Sequence, residues 1–92
     1  MKPLVDLAGK RGLVVGIANE HSIAAGCAEA FARCGARLAA TYLNAKTEQY
    51  VAPVAERLGV EWTAPCDVRV PGELEALFNE VNTKWGGLDF LL

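Results

Sequence analysis

A loop of small residues follows the first apolar run of the chain, and its residue types suit the binding of a phosphate. It reads Gly16-Ile-Ala-Asn-Glu-His-Ser22-Ile-Ala24-Ala-Gly26. Small side chains at a strand-to-helix turn let backbone N–H groups and the positive end of the helix approach a phosphate closely. Gly16 permits the tight turn, Ser22 can cap the helix and reach a phosphate oxygen, and Ala24 keeps the helix near the strand. The spacing predicts a pyrophosphate loop, although the common G-x-G-x-x-G pattern is absent and a simple connection is the alternative.

The elements that must position this loop follow from the spacing of apolar residues. Short apolar, β-branched runs bounded by glycine or polar residues indicate strands buried on both faces. We place the strands at residues 11–17, 37–43, 60–66 and 88–92. Segments with apolar residues at helical spacing lie between them, at residues 22–34, 46–58 and 71–85. This alternation predicts a parallel sheet of strand order 3-2-1-4 with right-handed crossovers, which is part of a Rossmann-type three-layer α/β fold.

Caps and prolines refine the predicted helices. Ser22 is a natural N-cap for the first helix, and Gly35 ends it. Pro53 lies inside the second helical segment, where it should kink the helix or split it in two. Pro71 suits the first turn of the third helix, which ends at Gly86.

The length of the chain, 92 residues, allows one domain at most. We assign residues 1–92 to the N-terminal part of a single dinucleotide-binding Rossmann domain. An apolar strand at residues 88–92 would form an open sheet edge, which natural proteins usually cover or charge. We therefore expect the domain to be truncated after the fourth strand and the isolated chain to be unstable.

Composition and charge exclude several classes of protein. Hydrophobic residues make up 52% of the chain and charged residues 22%, which is typical of a soluble globular protein. The net charge of -2 comes without any basic block, so we expect neither nucleic acid nor an anionic membrane as a partner. No run approaches the ~20 apolar residues of a membrane span, and residues 1–10 lack the apolar run of a signal peptide. The sequence therefore predicts a cytoplasmic protein.

The cysteines contain no CxxC pair, and their odd number cannot be paired completely into disulfides. They are Cys27, Cys34 and Cys66. We expect three buried, inert thiols in a reducing compartment. We predict no metal ligands in this chain.

Three features of the sequence together resemble the bacterial enoyl-acyl-carrier-protein reductases, a divergent family of short-chain dehydrogenase/reductases. They are the Gly-x5-Ser-Ile-Ala-x-Gly loop, the second strand ending in Thr41-Tyr42, and Cys66-Asp67-Val68 after the third strand. In that family a Gly-Ser-Ala pattern replaces the usual three glycines of the superfamily. The resemblance runs along essentially the whole chain in order and spacing, and it corresponds to about the first third of such an enzyme.

The resemblance implies that the loop binds the pyrophosphate of a nicotinamide cofactor. Gly16, Ile17 and Ala18 would line the ribose and the pyrophosphate. Ser22 and Ile23 would contact the pyrophosphate itself.

The resemblance also implies an adenine site beyond the third strand. Asp67 would accept a hydrogen bond from the adenine amino group, and Val68 would pack on the ring. A turn residue or a helix cap is the alternative role for Asp67. Parallel sheets bind ligands at the carboxyl ends of their strands, which favours the adenine role.

Cofactor choice depends on the residues after the second strand, which are Leu43-Asn44-Ala45-Lys46. Many NAD-binding domains carry an acidic residue there and NADP-binding domains an arginine, and neither is present. We include Leu43 among the cofactor contacts and expect Lys46 to point to solvent. The absence of adjacent basic residues favours NADH, with NADPH as the alternative.

The reaction implied is the NAD(P)H-dependent reduction of trans-2-enoyl-acyl-carrier-protein thioesters in bacterial fatty-acid synthesis, by an enzyme that is a homotetramer when full length. Its Tyr-x6-Lys catalytic pair would lie after residue 92, so we assign no catalytic residue to this chain and expect it to be inactive alone. The alternatives are a non-catalytic nucleotide-binding fragment, a short-chain dehydrogenase/reductase acting on a ketone or alcohol, and a flavodoxin-like interaction module.

Three side chains in the chain invite a catalytic interpretation that we do not adopt. His21 lies in the turn before a helix, where a solvated role is usual, and the sequence places no carboxylate to orient it. Tyr42 and Tyr50 lack the lysine of a Tyr-x6-Lys pair, because Gln49 and Arg57 occupy its position. We expect Tyr42 to be a strand residue and Tyr50 a helix surface or core residue.

Overall fold

A computed structural model describes residues 6–92. The strands are β1 (Arg11–Val14), β2 (Arg37–Tyr42), β3 (Trp62–Pro65) and β4 (Phe90–Leu91). The helices are α1 (Ile23–Arg33), α2 (Ala45–Leu58) and α3 (Glu73–Trp85). The alternation is the predicted one. The prediction that residues 1–10 are no signal peptide falls partly on residues 1–5, which lie outside the described residues.

The strands form one parallel sheet of order β3-β2-β1-β4, which confirms the predicted fold class. β1 pairs with β2 from Arg11 opposite Arg37 to Val14 opposite Ala40. Because β1, β2 and β3 are adjacent and parallel, the loops that follow them meet at the same edge of the sheet. This edge carries the loops that the sequence singles out.

Helices cover both faces of the sheet and bury a core on each. On one face, α1 and α2 pack on the strands, and the buried residues include Val14, Ala25, Ala28, Leu38, Ala40, Val51 and Val54. On the other face α3 packs on the strands, with Leu13, Ala39, Cys66, Leu77 and Val81 buried. Successive strand residues such as Leu13 and Val14 point to opposite faces, as the pleat of a strand requires. The molecule therefore has three layers.

Element ends differ from the predicted ones by a few residues. β1 stops at Val14 because Gly16 adopts a positive φ of 86° and turns the chain out of the strand direction. The expectation that Pro71 opens the third helix is wrong. Gly72 precedes that helix with a φ of 89°, which is not helical, so Pro71 lies in the turn before α3.

Of the two expected effects of Pro53, a kink or a split, the split does not occur, since α2 runs unbroken through this residue. Proline removes the N–H that the carbonyl of Gln49 would otherwise bind. Both residues are exposed, so water can satisfy that carbonyl. A capping box between Asn44 and Thr47 fixes the start of the helix, and Gly59 ends it in the left-handed conformation.

The residues that the helices turn toward the sheet are not always the largest apolar ones. α1 turns Ala25 and Ala28 to the sheet, while the side chain of Ile23 is 88% exposed. On α3, Leu77 and Val81 are buried, but Leu74 and Phe78 are exposed.

The cysteines are all free within the described residues, as predicted. Cys66 is buried, whereas Cys27 and Cys34 are half-buried. The expectation of full burial is therefore correct for one of the three thiols.

Candidate functional site

The turn after β1 is held by a single residue of β2. The N–H of Gly16 donates to Oγ1 of Thr41 over 2.9 Å, and the N–H of Ile17 donates to the carbonyl of Thr41 over 2.9 Å. Thr41 has no exposed surface, so both acceptor atoms are shielded from water. The loop therefore leaves the sheet in a direction that β2 fixes.

Crowding by neighbouring atoms does not explain why position 16 is a glycine. A Cβ added there would meet no atom within 4 Å. By contrast, a Cβ on Gly12 would overlap the ring of Phe90, so packing alone accounts for that glycine. Two reasons remain for Gly16, namely its positive φ and the open space in front of it, which a ligand can approach closely.

Ser22 is the N-cap of α1, as predicted. Its Oγ accepts from the N–H of Ala25 over 3.2 Å and donates to the carbonyl of Asn19 over 2.8 Å. The first N–H groups of a helix have no intrahelical acceptor, and here they begin at Ile23. The helix therefore presents backbone donors and its positive end just after the loop.

A cavity of about 350 Å³ opens at the carboxyl edge of the sheet, between the loops that follow β1, β2 and β3. It is lined by Val15, Gly16, Ile17, Ala18, Leu43, Thr47, Cys66, Asp67, Val68 and Arg69. Small-molecule sites span roughly 300–1,000 Å³, so the cavity suits part of a dinucleotide. Six of the eight predicted cofactor contacts come together here. The other two, Ser22 and Ile23, lie outside the cavity at the start of α1.

Four lining residues are not among the predicted contacts. They are Val15, Thr47, Cys66 and Arg69. Asn44 is a favoured N-cap residue, which would have placed Thr47 in the first turn of α2, close to the carboxyl end of β2. Arg69 directly follows the Cys66-Asp67-Val68 motif, but nothing in the sequence indicates that its side chain folds back.

The carboxylate of Asp67 is held by Arg69. Oδ1 accepts from the N–H of Arg69 over 3.0 Å and from Nε over 2.9 Å, and Oδ2 accepts from Nη2 over 2.9 Å. These hydrogen bonds hold the pKa of Asp67 below its ordinary value, so the group is ionised at neutral pH. Val68, next to it, exposes an apolar side chain at the cavity.

The backbone of the same loop has its own anchor. The N–H of Asp67 donates to Oε1 of Glu73, near the start of α3, over 3.2 Å. Burial, together with the charges of Glu73 and Asp67, raises the pKa of the Cys66 thiol. The thiol is therefore protonated at neutral pH and forms a neutral part of the wall.

The three side chains set aside by the sequence lie outside this cavity. His21 is exposed, and its Nε2 lies 3.3 Å from Oε1 of Glu20, so the expectation that no carboxylate stands beside it is wrong. Tyr42 is a buried strand residue, as predicted, and burial raises the pKa of its hydroxyl. Tyr50 is exposed. A second cavity of about 480 Å³ lies between the loop and α2, lined by Asn19, Glu20, His21, Gln49, Tyr50, Pro53, Val54 and Arg57.

The charged groups of the first cavity are paired with each other. Arg69 is the one cationic side chain that lines it among residues 6–92, and it binds Asp67. Lys46 is exposed and does not line the cavity.

Two further properties concern residues 6–92 as a whole. No cluster of three or more histidine, cysteine or acidic side chains has a metal-binding arrangement in this range. No helix in the same range is both long enough and apolar enough to cross a membrane.

Comparison with known proteins connects this geometry to one family. A family model described as enoyl-(acyl carrier protein) reductase matches residues 16–92. The chain is 42% identical over 84 residues to enoyl-acyl-carrier-protein reductase (NADH) 2 of Rhizobium meliloti, covering 91% of this chain and 31% of that protein. It is 41% identical over 86 residues to the NADH enzyme of Aquifex aeolicus, covering 94% of this chain and 32% of that protein. The chain thus spans about a third of the length of these curated relatives.

Solved structures of similar proteins share the fold. The reductase of Anaplasma phagocytophilum, crystallised in complex with NAD, superposes with a TM-score of 0.90 at 40% identity, covering 99% of this chain and 35% of that one. The Aquifex aeolicus reductase gives a TM-score of 0.87 at 41% identity, covering 92% of this chain and 34% of that one.

Proposed function

The chain belongs to the enoyl-(acyl carrier protein) reductase family, and we propose on that basis that it forms the cofactor-binding part of an NADH-dependent enoyl-acyl-carrier-protein reductase. The observation that carries the proposal is the cavity at the carboxyl edge of the sheet. It unites residues 16–18 with Leu43, Asp67 and Val68, which come from three separate loops. Open parallel sheets bind their ligands at this edge.

The pyrophosphate half of the site consists of the turn at Gly16 and the start of α1. Gly16, Ile17 and Ala18 line the ribose and the pyrophosphate. Ser22 and Ile23 contact the pyrophosphate, because the first N–H groups and the positive end of a helix favour an anion there. The Ser22 hydroxyl, which donates to the carbonyl of Asn19, is the side-chain donor of this half and can rotate toward a phosphate oxygen.

The adenine half of the site consists of the loop after β3 and the end of β2. Asp67 is ionised and accepts a hydrogen bond from the adenine amino group. Val68 offers an exposed apolar surface on which the ring packs, and Leu43 lines the same cavity.

The charge of the cavity supports NADH over NADPH. A 2′-phosphate needs a free cationic partner, and within residues 6–92 the lining cation, Arg69, is already paired with Asp67. Lys46 does not line the cavity, which fits its predicted orientation toward solvent.

The chemistry requires groups that we do not assign to this chain. When bound, the nicotinamide supplies a hydride for the enoyl β-carbon, and residues 1–92 contribute cofactor binding only. We propose acyl carrier protein as the partner that delivers the thioester. The free thiols among the described residues support the cytoplasm as its location. The tetramer that the resemblance implies stays a prediction.

Titration of the chain with NADH, followed by nicotinamide fluorescence, tests the binding. Gly16→Ala is the site variant and Gly59→Ala its matched control. Both glycines have positive φ, 86° and 70°, and both face open space. Each substitution should cost about 1–2 kcal/mol of stability through backbone strain. Gly59 ends α2 at the opposite edge of the sheet, so only Gly16→Ala should weaken NADH binding, by about tenfold or about 1.4 kcal/mol.

Two results would overturn the proposal. In the first, circular dichroism shows that the unchanged chain is folded, but the chain does not bind NADH at millimolar concentration. Alternatively, the two alanine variants reduce NADH binding equally, which means that the loss reflects backbone strain and not contact with the cofactor.

A further inference from the structure

The contacts of Asp67 leave its carboxylate with one free acceptor position. An ionised carboxylate has about four acceptor sites, two on each oxygen. Oδ1 accepts from the N–H and from Nε of Arg69, so both of its sites are used. Oδ2 accepts from Nη2 alone. The remaining site is on Oδ2.

The side chains of Asp67 and Arg69 differ in their exposure to solvent. The Asp67 side chain is 19% exposed, whereas that of Arg69 is 77% exposed. The guanidinium therefore lies on the solvent side of the carboxylate. A bidentate guanidinium fixes both oxygens of its partner in one plane, which a point charge cannot do.

The backbone of Asp67 is anchored independently of Arg69. Its N–H donates to Glu73, so this hydrogen bond does not depend on the Arg69 side chain. Loss of the Arg69 side chain removes two of the three hydrogen bonds to the carboxylate and leaves the one from the backbone N–H of residue 69 to Oδ1. It should therefore loosen the orientation of Oδ2 while leaving the loop backbone in place.

We propose that Arg69 is a positioning residue for the adenine end of the cofactor, because it fixes the Asp67 carboxylate with only Oδ2 available to accept the exocyclic amine. The inference rests on the proposed function. The inference extends the proposed function by assigning selectivity for adenine to Arg69, a residue that does not itself contact the base. A purine with a keto oxygen in place of the amine presents an acceptor to Oδ2 at position 6, so the hydrogen bond from that position is lost and replaced by repulsion.

The test compares NADH with reduced nicotinamide hypoxanthine dinucleotide, in which that amine is replaced by an oxygen. Arg69→Gln is the site variant. Arg33→Gln is the matched control, since Arg33 is 78% exposed and pairs with Glu29 at 3.1 Å on α1, away from the cavity. Because the isolated chain is expected to be unstable, each chain is tested within a full-length chimera in which residues 6–92 replace the matching segment of the Aquifex aeolicus reductase. Fluorescence titration gives both dissociation constants, and thermal unfolding checks the fold.

The unchanged chain and Arg33→Gln should prefer NADH by about tenfold or more, which is the usual effect of one hydrogen bond to a charged group. In Arg69→Gln the preference should fall to about threefold or less, mainly through weaker NADH binding.

The possible failures are distinguishable. If the unchanged chain binds neither dinucleotide, the proposed function fails and this inference fails with it. If it binds NADH but Arg69→Gln keeps the full preference, this inference alone fails. Equal weakening of both dinucleotides by Arg69→Gln also overturns it, because Arg69 would then contact the cofactor directly.

Discussion

The N–H of Gly16 and the hydroxyl oxygen of Thr41 are joined by a 2.9 Å hydrogen bond at the carboxyl edge of the sheet. The carbonyl of the same threonine accepts from Ile17. One residue of β2 thus fixes two consecutive residues of the loop that leaves β1. The shape of the proposed pyrophosphate site therefore depends on the neighbouring strand as much as on the loop itself.

Thr41→Val should destabilise the chain and weaken NADH binding. Valine has the shape of threonine but no acceptor, so the partly buried hydrogen bond from the N–H of Gly16 is lost at a cost of about 0.5–1.5 kcal/mol. Thr63→Val on β3 is the control, because Thr63 is exposed and its change should be close to neutral. Urea unfolding measures both variants. Equal stability of the two would show that the hydroxyl of Thr41 does not support the loop.

Gly12→Ala should destabilise the chain for a different reason. The new methyl group would overlap the ring of Phe90, which packs against Phe31 with ring centroids 4.8 Å apart. Overpacking of this kind costs about 1–3 kcal/mol. Gly26→Ala is the contrast, because that position in α1 is open and alanine should stabilise the helix by about 0.5–1 kcal/mol. Thermal unfolding that ranks the two variants in the opposite order would contradict the packing of β4 on β1.

The stability contributed by Asp67 should depend on pH in the acid range. Hydrogen bonds from Arg69 lower the pKa of Asp67 in the folded chain, so the ionised form stabilises the fold above the unfolded pKa, about 3.9. This contribution is lost as pH falls through the lowered native pKa. The difference in unfolding free energy between the unchanged chain and Asp67→Asn should stay constant from pH 7 to about pH 5 and shrink below it. Urea unfolding across this range measures the difference, and a decline that starts near pH 6 would contradict the assignment.

An exchange of segments tests the proposed enzymatic role. Residues 6–92 would replace the matching segment of the Aquifex aeolicus reductase, and the chimera should reduce a crotonyl thioester with NADH. Within it, Asp67→Asn should raise KM for NADH with little change in kcat, because the adenine lies far from the reacting carbon and its binding is uniform.

Asp89→Asn is the control within the chimera. Asp89 also binds the backbone of an arginine, Arg11, but it does so at the opposite edge of the sheet, and its variant should leave KM for NADH unchanged. A folded chimera without NADH-dependent turnover, or equal effects of the two asparagine variants on KM, would argue against the assignment.

The sequence by itself determined the order of the elements and the Ser22 cap, and its resemblance to a family implied six residues of the cavity wall. Apolar periodicity and cap residues act within a few positions along the chain, so they can be read without knowing what packs against what. The motif after β3 and the loop after β1 meet because the carboxyl ends of parallel strands share one edge. That rule follows from the alternation of strands and helices alone.

Only the tertiary structure decided how the wall is held. The bond between Gly16 and Thr41 depends on the register of β1 against β2, which no local pattern specifies. The continuity of α2 through Pro53 depends on that residue facing solvent, where water satisfies the freed carbonyl. The return of Arg69 onto Asp67 depends on the path of one loop in space. Each of these features depends on the three-dimensional arrangement around the residue, which sets its hydrogen-bond partners and its exposure to water. The order of residues along the chain does not specify that arrangement.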